Sequence, residues 1–413
     1  MGYSTEMNGF ESELRSRLDS LRHQGLYREL RQVDSPQSPR VRIGEQTLLS
    51  FASNDYLGLA NHPELKEAAI RAVEQFGAGS GASRLICGSL APHQELEETL
   101  AAFKGTKAAL AFCSGYAAAV GTICALMRPG DCIILDKLVH ACIVDAARLS
   151  GAKMRVFRHN DMPDLQRLLE WANTHTSEKT QENSSSHILV VTESVFSMDG
   201  DQAPLRQIVE LKNQHNAWLM VDEAHATGLY GSNRRGLAEE LGVSHQIEVQ
   251  MGTLGKAVGA SGGYICGPKA LIDYLINRAR PFIFSTAPVP AAAAAATAGL
   301  RLIQSGQGEE RCSALWRLLS NLVAHEHNPE AKPPSAIIPI HIGDENQALE
   351  AANTLRESGI FLPAIRYPTV GRGRARLRLS LTASHSIRDL DALRASLAEL
   401  GLKVGTVQNE PEE

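Results

Sequence analysis

The chain has 413 residues, 43% of them hydrophobic and 21% charged, with a formal net charge of −5. That length exceeds one ordinary core and predicts two domains, and the slightly acidic balance excludes a polyanion-binding surface, since the arginine-rich run 372–378 is too local to make one. Residues 1–17 hold no apolar signal region, and no window reaches the length of a membrane span, the alanine-rich run 290–300 being too short, so no nucleic-acid or membrane partner and a cytoplasmic location are expected.

Residues 11–31 read as an amphipathic helix with Leu14, Leu18, Leu21 and Leu26 on one side. Residues 41–51 read as a strand or hairpin interrupted by Gly44-Glu45. From Pro63 helices and strands alternate. A helix covers 63–76 with proline near its start, and another covers 93–103. Strand 108–112 runs into Cys113-Ser114-Gly115-Tyr116 and an alanine-rich helix. Strand 132–135, helix 139–149, strand 153–157 and helix 165–173 follow. The polar tract 174–186 reads as a solvated loop. Then come strand 188–192, helix 205–215, the strand 217–221 before Asp222, and the apolar run 247–251. This alternation predicts an α/β fold with a mainly parallel sheet covered on both faces. After about Ala291 the pattern changes. A long helix is expected through Leu300 to Leu322, a boundary at Lys332-Pro333-Pro334, and then strand 337–342, helix 346–358, strand 374–381 and helix 387–400. The expected organisation is an N-terminal helix-and-hairpin segment 1–60, a large domain 61–290 and a small α/β domain 291–413.

The seven cysteines, Cys87, Cys113, Cys124, Cys132, Cys142, Cys266 and Cys312, are odd in number and never spaced CxxC. They read as reduced, mostly buried thiols of a cytosolic protein with no metal site.

In such sheets ligands sit beyond the carboxyl ends of the strands. Gly115, Glu193, Asp222 and Lys256 all fall there. Lys256 stands in Thr253-Leu254-Gly255-Lys256-Ala257-Val258-Gly259, and Asp222 in Val221-Asp222-Glu223-Ala224-His225. A lysine at one strand end and an acid at another suit pyridoxal phosphate. The lysine forms a Schiff base with the aldehyde, and the acid keeps the ring nitrogen protonated so that the ring can absorb electrons. A surface lysine would have no need of Gly255 and Gly259, which point to close backbone approach. Other residues keep two readings. Asp222 is a ring partner or a helix N-cap. His225 is a core histidine or, with Ser197, a contact to the phenolic oxygen. Ser114-Gly115-Tyr116 is a plain turn or a helix N-terminus that holds the phosphate, with Thr253 adding a hydroxyl. His140 is an ordinary helix residue or stacks on the ring. Arg366 is a loop arginine or a bidentate carboxylate clamp. Gly77-Ala78-Gly79-Ser80-Gly81-Ala82-Ser83-Arg84 resembles a dinucleotide fingerprint but follows a helix, so it reads as a loop near the site.

Taken in order, several motifs identify a family. These are Ser53-Asn54-Asp55-Tyr56-Leu57-Gly58-Leu59, Gly79 to Arg84, His93-Gln94-Glu95-Leu96-Glu97, Thr192-Glu193-Ser194-Val195-Phe196-Ser197-Met198-Asp199-Gly200, Val221 to His225 and Thr253 to Lys256. The chain resembles the α-oxoamine synthases, pyridoxal phosphate enzymes of fold type I, from about Leu18 to Leu400. The resemblance implies a large domain with a mainly parallel seven-stranded sheet and a small C-terminal domain. It also implies condensation of a small amino acid with an acyl thioester, with loss of carbon dioxide. Lys256 would hold the cofactor and take the Cα proton, and Asp222 would pair with the ring nitrogen. His225 and Ser197 would bond the phenolic oxygen, and His140 would stack on the ring. Gly115, Tyr116 and Thr253 would hold the phosphate, joined by Ser285 or Thr286 of a second subunit in a homodimer. Arg366 would bind the substrate carboxylate, with Asn54 and Arg28 beside it. The stretch from Ala364 to His385 resembles the branch that joins L-alanine to a pimeloyl group carried on coenzyme A or on an acyl carrier protein. Leu85 speaks against succinyl-CoA, because relatives that use it carry asparagine there. Condensation of glycine with acetyl-CoA is the alternative. An aminotransferase or a non-catalytic scaffold on the same fold stands further off.

Overall fold

The computed structural model describes residues 8–175, 186–324 and 333–404. Most of the polar tract 174–186, the first seven residues and Lys332 lie outside the described residues. The chain divides into two compact units, one of residues 1–53, 318–381 and 385–413, the other of 54–317 and 382–384. The expected boundaries at 60 and 290 therefore shift. Residues 291–317 go with the large unit, and the N-terminal segment belongs with the C-terminal one.

In the smaller unit α1 spans Asn8–His23. It stops well before the expected residue 31. Gly25 takes φ +64°, and the Leu26 and Gly25 N–H groups return to Leu21 O and Arg22 O at 2.8 and 3.0 Å. That is a Schellman ending, which needs a residue free to adopt positive φ. Strands β1 (Arg40–Ile43) and β2 (Gln46–Ser50) form the expected antiparallel hairpin.

The larger unit is built on seven strands. They are β3 (Ala108–Phe112), β4 (Cys132–Asp136), β5 (Lys153–Phe157), β6 (Ile188–Glu193), β7 (Trp218–Asp222), β8 (Val249–Thr253) and β9 (Gly263–Gly267). Their order in the sheet is β3-β9-β8-β7-β6-β4-β5. The central pairs are parallel, whereas β9 runs antiparallel to both β3 and β8. Strands β4 and β6 are buried along their whole length, which is why they read as unbroken apolar runs. Each Leu, Ile or Val there contributes about 1.5–3 kcal/mol by leaving water. The sequence pattern assigns no element to 263–267, which has a glycine at each end. Gly263 is in fact indispensable, since a Cβ there would sit 2.5 Å from Gly115 N and Ser114 O.

Helices α2 (Pro63–Phe76), α3 (Ala91–Lys104), α4 (Gly115–Leu126), α5 (Ala141–Ser150), α6 (Met162–His175) and α7 (Leu205–Gln214) fall close to their predicted spans. The single helix expected from about 291 to Leu322 is two: α8 (Pro290–Gln304) and α9 (Gly306–Ala324). Ser305 is extended at ψ 170°, and its hydroxyl accepts the Gly308 N–H at 3.3 Å, so it ends one helix and caps the next. The smaller unit is completed by a second sheet in the order β10 (Ile337–Gly343), β13 (Ala375–Ser380), β12 (Ala364–Ile365), by β11 (Ile360–Phe361) beside β2, and by helices at Glu345–Glu357 and Ile387–Glu399.

Candidate active site

The carboxyl ends of β6, β7 and β8 bring together the residues that the sequence singles out. Glu193 and Asp222 are register partners on β6 and β7, and Asp222 is opposite Met251 on β8. Lys256 follows β8 directly. Its Nζ lies 2.7 Å from His225 Nε2. His225 Nδ1 lies 2.6 Å from the Tyr56 hydroxyl, and that hydroxyl reaches Asn54 Oδ1 at 3.2 Å. A hydrogen-bonded string therefore runs from Asn54 through Tyr56 and His225 to the lysine amine. Asp55 holds the turn that carries its first members by accepting the Leu59 and Ala60 N–H groups at 2.7 and 3.0 Å. Tyr56 is fully buried, and sequence reasoning gives it no role.

Asp222 is buried and accepts the Ala224 N–H at 2.9 Å. Burial raises its pKa, while Lys256 and the Ala224 N–H pull the other way. Burial also raises Glu193 well above the ordinary carboxylate range, and neighbouring Asp222 adds to the effect. Two carboxyls so placed favour a cation close by, because only a nearby positive charge offsets their desolvation. Lys256 is the cation nearest to both in this structure.

The start of α4 lies against the end of β8, with Gly115 beside Met251 and Thr253. Ser114 caps it by accepting the Ala117 N–H at 3.1 Å. The N–H groups of a first helical turn have no acceptor within the helix, and the dipole favours an anion there. Thr253 lies beside Gly115, its Oγ1 4.0 Å from the position of a Gly115 Cβ, and that hydroxyl donates to Gly262 O at 2.9 Å. Tyr116 is half exposed and donates to Asp145 Oδ2 at 2.8 Å. His140 caps α5, its Nδ1 accepting the Cys142 N–H at 3.2 Å. Surrounding protein lowers its pKa, with Asp222 opposing and Lys256 reinforcing, so the ring is neutral and suited to stacking. The backbone N–H groups of His140 and Ser197 lie on the side of the Glu193 carboxyl and partly offset its raised pKa. An amine, a buried acid, a flat neutral ring and an anion cradle fit pyridoxal phosphate.

The other expected residues stand on other segments. Ser285 and Thr286 run beside the 82–83 loop, where Thr286 bridges Ser83. Arg366 and Arg28 belong to the smaller unit. There Arg366 is buried and donates to the carbonyls of Gly25 and Tyr27, and Arg28 donates to Tyr367 O at 2.8 Å. Burial, then Arg28, lowers the Arg366 pKa. Among the described residues no group of three or more His, Cys, Asp and Glu side chains could hold a metal ion. All seven cysteines are free, and no described helix is long and apolar enough to cross a membrane.

The model of the aminotransferase class I and II family matches residues 46–397. The 8-amino-7-oxononanoate synthase of Geotalea daltonii is 46% identical over 392 residues, 94% of this chain and 97% of that protein. A serine palmitoyltransferase of S. paucimobilis, solved with a PLP–myriocin aldimine bound, matches with TM-score 0.84 and 30% identity over 96% of this chain and 100% of its own. The 8-amino-7-oxononanoate synthase of Francisella tularensis matches with TM-score 0.70 and 28% identity over 86% and 98%. The chain belongs to the class I and II aminotransferase family, and within it to the α-oxoamine synthases, pyridoxal phosphate-dependent acyltransferases of fold type I. Among these it falls in the 8-amino-7-oxononanoate synthase group.

Proposed function

We propose that the enzyme joins L-alanine to a pimeloyl thioester, on coenzyme A or an acyl carrier protein, to give 8-amino-7-oxononanoate for biotin synthesis. Alanine Cα gives up its proton and bonds to the thioester carbonyl carbon as the carbon–sulfur bond breaks and the thiolate takes a proton. The carboxylate then departs as carbon dioxide and Cα takes a proton in its place, so that of the two protons taken up one replaces the Cα proton released and one comes from solvent. The observation that carries this reading is the Lys256 amine, held 2.7 Å from His225 at the strand end next to Asp222, in a chain 46% identical to a synthase of that name.

When bound, pyridoxal phosphate supplies an electron sink for the charge developing at Cα. Lys256 anchors it, then takes and returns the Cα proton as a positioned amine. His225 orients that amine and, with Ser197, meets the phenolic oxygen. Asp222 balances the ring nitrogen, His140 covers one ring face, and Gly115, Tyr116 and Thr253 hold the phosphate. Arg366, with Arg28 and Asn54, takes the substrate carboxylate. Fixing both substrates supplies much of the rate by removing the entropy of their encounter.

We infer a homodimer that brings Ser285 or Thr286 of one copy to the phosphate of the other. Leu85, Ile86, Phe284 and Val289 are exposed on two segments joined by the Ser83–Thr286 bridge. An apolar patch of that kind is ordinarily covered by a partner. Seven free cysteines suit a reducing compartment such as the cytoplasm.

Free-thiol release by the cofactor-loaded enzyme tests the reading. L-Alanine with a pimeloyl thioester is expected to release thiol, and glycine with acetyl-CoA to release little. Release with the second pair alone, or with neither coenzyme A nor carrier-protein donors, overturns the substrate assignment.

A further inference from the structure

Beneath the turn that carries Ser197 lies a charged cluster that the reaction above does not use. His159 follows β5, with Nδ1 2.9 Å from Asp136 Oδ1 and Nε2 2.7 Å from Asp201 Oδ2. A neutral imidazole has one N–H. Between two ionised aspartates both contacts are hydrogen bonds only when both nitrogens are protonated, so the geometry favours an imidazolium, with the Asn160 amide a further 3.3 Å from Nε2. The ring also stands edge-on to buried Phe196, with centroids 4.4 Å apart. Asn160, at φ +53°, doubles the link. Its N–H reaches Asp136 Oδ2 at 2.9 Å, and its side chain reaches Asp201 Oδ2 at 2.8 Å and Gln202 O at 3.2 Å.

The two aspartates belong to the two segments that flank the expected cofactor ring. Asp136 ends β4 and accepts the Leu138 N–H at 2.8 Å, at the start of the segment that leads to His140. Asp201 closes the turn after β6, accepting the Phe196 N–H through its backbone carbonyl at 3.0 Å, with Val195 bridged to Gln202. Between these segments lies the buried Glu193 carboxyl, whose raised pKa is partly offset by the backbone N–H groups of His140 and Ser197.

We propose that His159 is a positioning residue of the cofactor site, its imidazolium pinning the 195–202 turn that carries Ser197 to the end of β4 that leads to His140. This rests on the reading that Ser197 and His140 face the cofactor. Burial opposes the charge, but the hydrogen bonds to Asp136 and then Asp201 raise the His159 pKa to about 10. The charged groups around it are these two aspartates. Arg158, next in sequence, is exposed and paired with Asp161 and Asp164.

The test uses holoenzyme carrying His159→Gln, Asp201→Asn or Ser197→Ala, and the double variant His159→Gln/Ser197→Ala. Pyridoxal phosphate dissociation is followed by dialysis and absorbance. His159→Gln and Asp201→Asn are each expected to weaken retention about tenfold. In the Ser197→Ala background His159→Gln should add less than about twofold, because its effect passes through that turn. Full additivity, or unchanged retention in both variants, overturns the proposal. If Ser197→Ala alone changes nothing, the assignment of Ser197 fails and the proposal with it, whereas thiol release by the parent enzyme judges the overall reaction separately. Asp201 is partly exposed, so Asp201→Asn keeps the test available if His159→Gln does not fold. In parent holoenzyme the His159 imidazole signals in a nitrogen-15 titration should stay those of the charged ring past pH 9. A neutral ring at pH 7 contradicts the proposal.

Discussion

Replacing Tyr56 by phenylalanine removes one oxygen from the string that reaches Lys256. The ring is fully buried, so its packing survives. What goes is the 2.6 Å contact to His225 Nδ1 and the 3.2 Å contact to Asn54 Oδ1. His225 is itself only 5% exposed, and losing a hydrogen bond at a buried ring costs about 1–3 kcal/mol. The loss falls on the orientation of the imidazole whose other nitrogen meets Lys256 Nζ at 2.7 Å. At about 1.36 kcal/mol per tenfold, kcat for thiol release should drop by roughly 5- to 150-fold. The KM for the acyl thioester should move little. A urea titration of the same variant separates lost activity from lost fold, with an expected stability loss of about 1–3 kcal/mol. A kcat within about twofold of the parent, in a variant that binds cofactor normally, would show that the Tyr56–His225 contact does not orient the lysine.

Gly263→Ala places a methyl group 2.5 Å from Gly115 N and Ser114 O, so the start of α4 must move. A stability loss of about 1–3 kcal/mol and weaker cofactor retention are expected in urea titration and dialysis, and unchanged retention would remove the α4 N-terminus from the phosphate site. Lys104→Met breaks a fully buried ion pair with Glu223, whose other oxygen accepts the Ala238 N–H at 2.9 Å. Stranding that carboxylate should cost about 3–5 kcal/mol by chemical denaturation, and adding Glu223→Gln should recover part of the loss. The raised His159 pKa, about 10, also sets a pH dependence. Its stabilisation is full below the unfolded value near 6.5 and disappears as pH rises through about 10. The parent should therefore lose more stability between pH 7 and 10 than His159→Gln does, and equal losses would contradict the charge assignment.

Much of this was legible from residue patterns because buried parallel strands announce themselves. Strands β3 and β5 match their predicted spans, and β4 and β6 differ only by a final acidic residue. Lys256, Asp222 and Gly115 could be placed at or just after strand ends, as the structure has them, and strand ends are where such sheets bind ligands. The helix at the N-terminus was overextended because apolar spacing continues through Leu26, while the stop depends on the backbone of Gly25. Tyr56 was invisible as a functional group because its partner lies 169 residues away. His159 has no reading from the sequence because its two aspartates are 23 and 42 residues distant. Neither separation leaves a local signature. The domain division escaped for a similar reason, since the N-terminal hairpin joins β11 through a register, Ile360 with Leu49, that spacing does not encode.

The central claim is that Lys256 is the residue to which the cofactor is joined. Borohydride reduction of the holoenzyme, followed by peptide mass mapping, tests it directly. A pyridoxyl group on the peptide containing Lys256, absent from a Lys256→Ala variant that still folds, is the expected result. The label on a different lysine, or undiminished labelling of Lys256→Ala, would contradict the site described above.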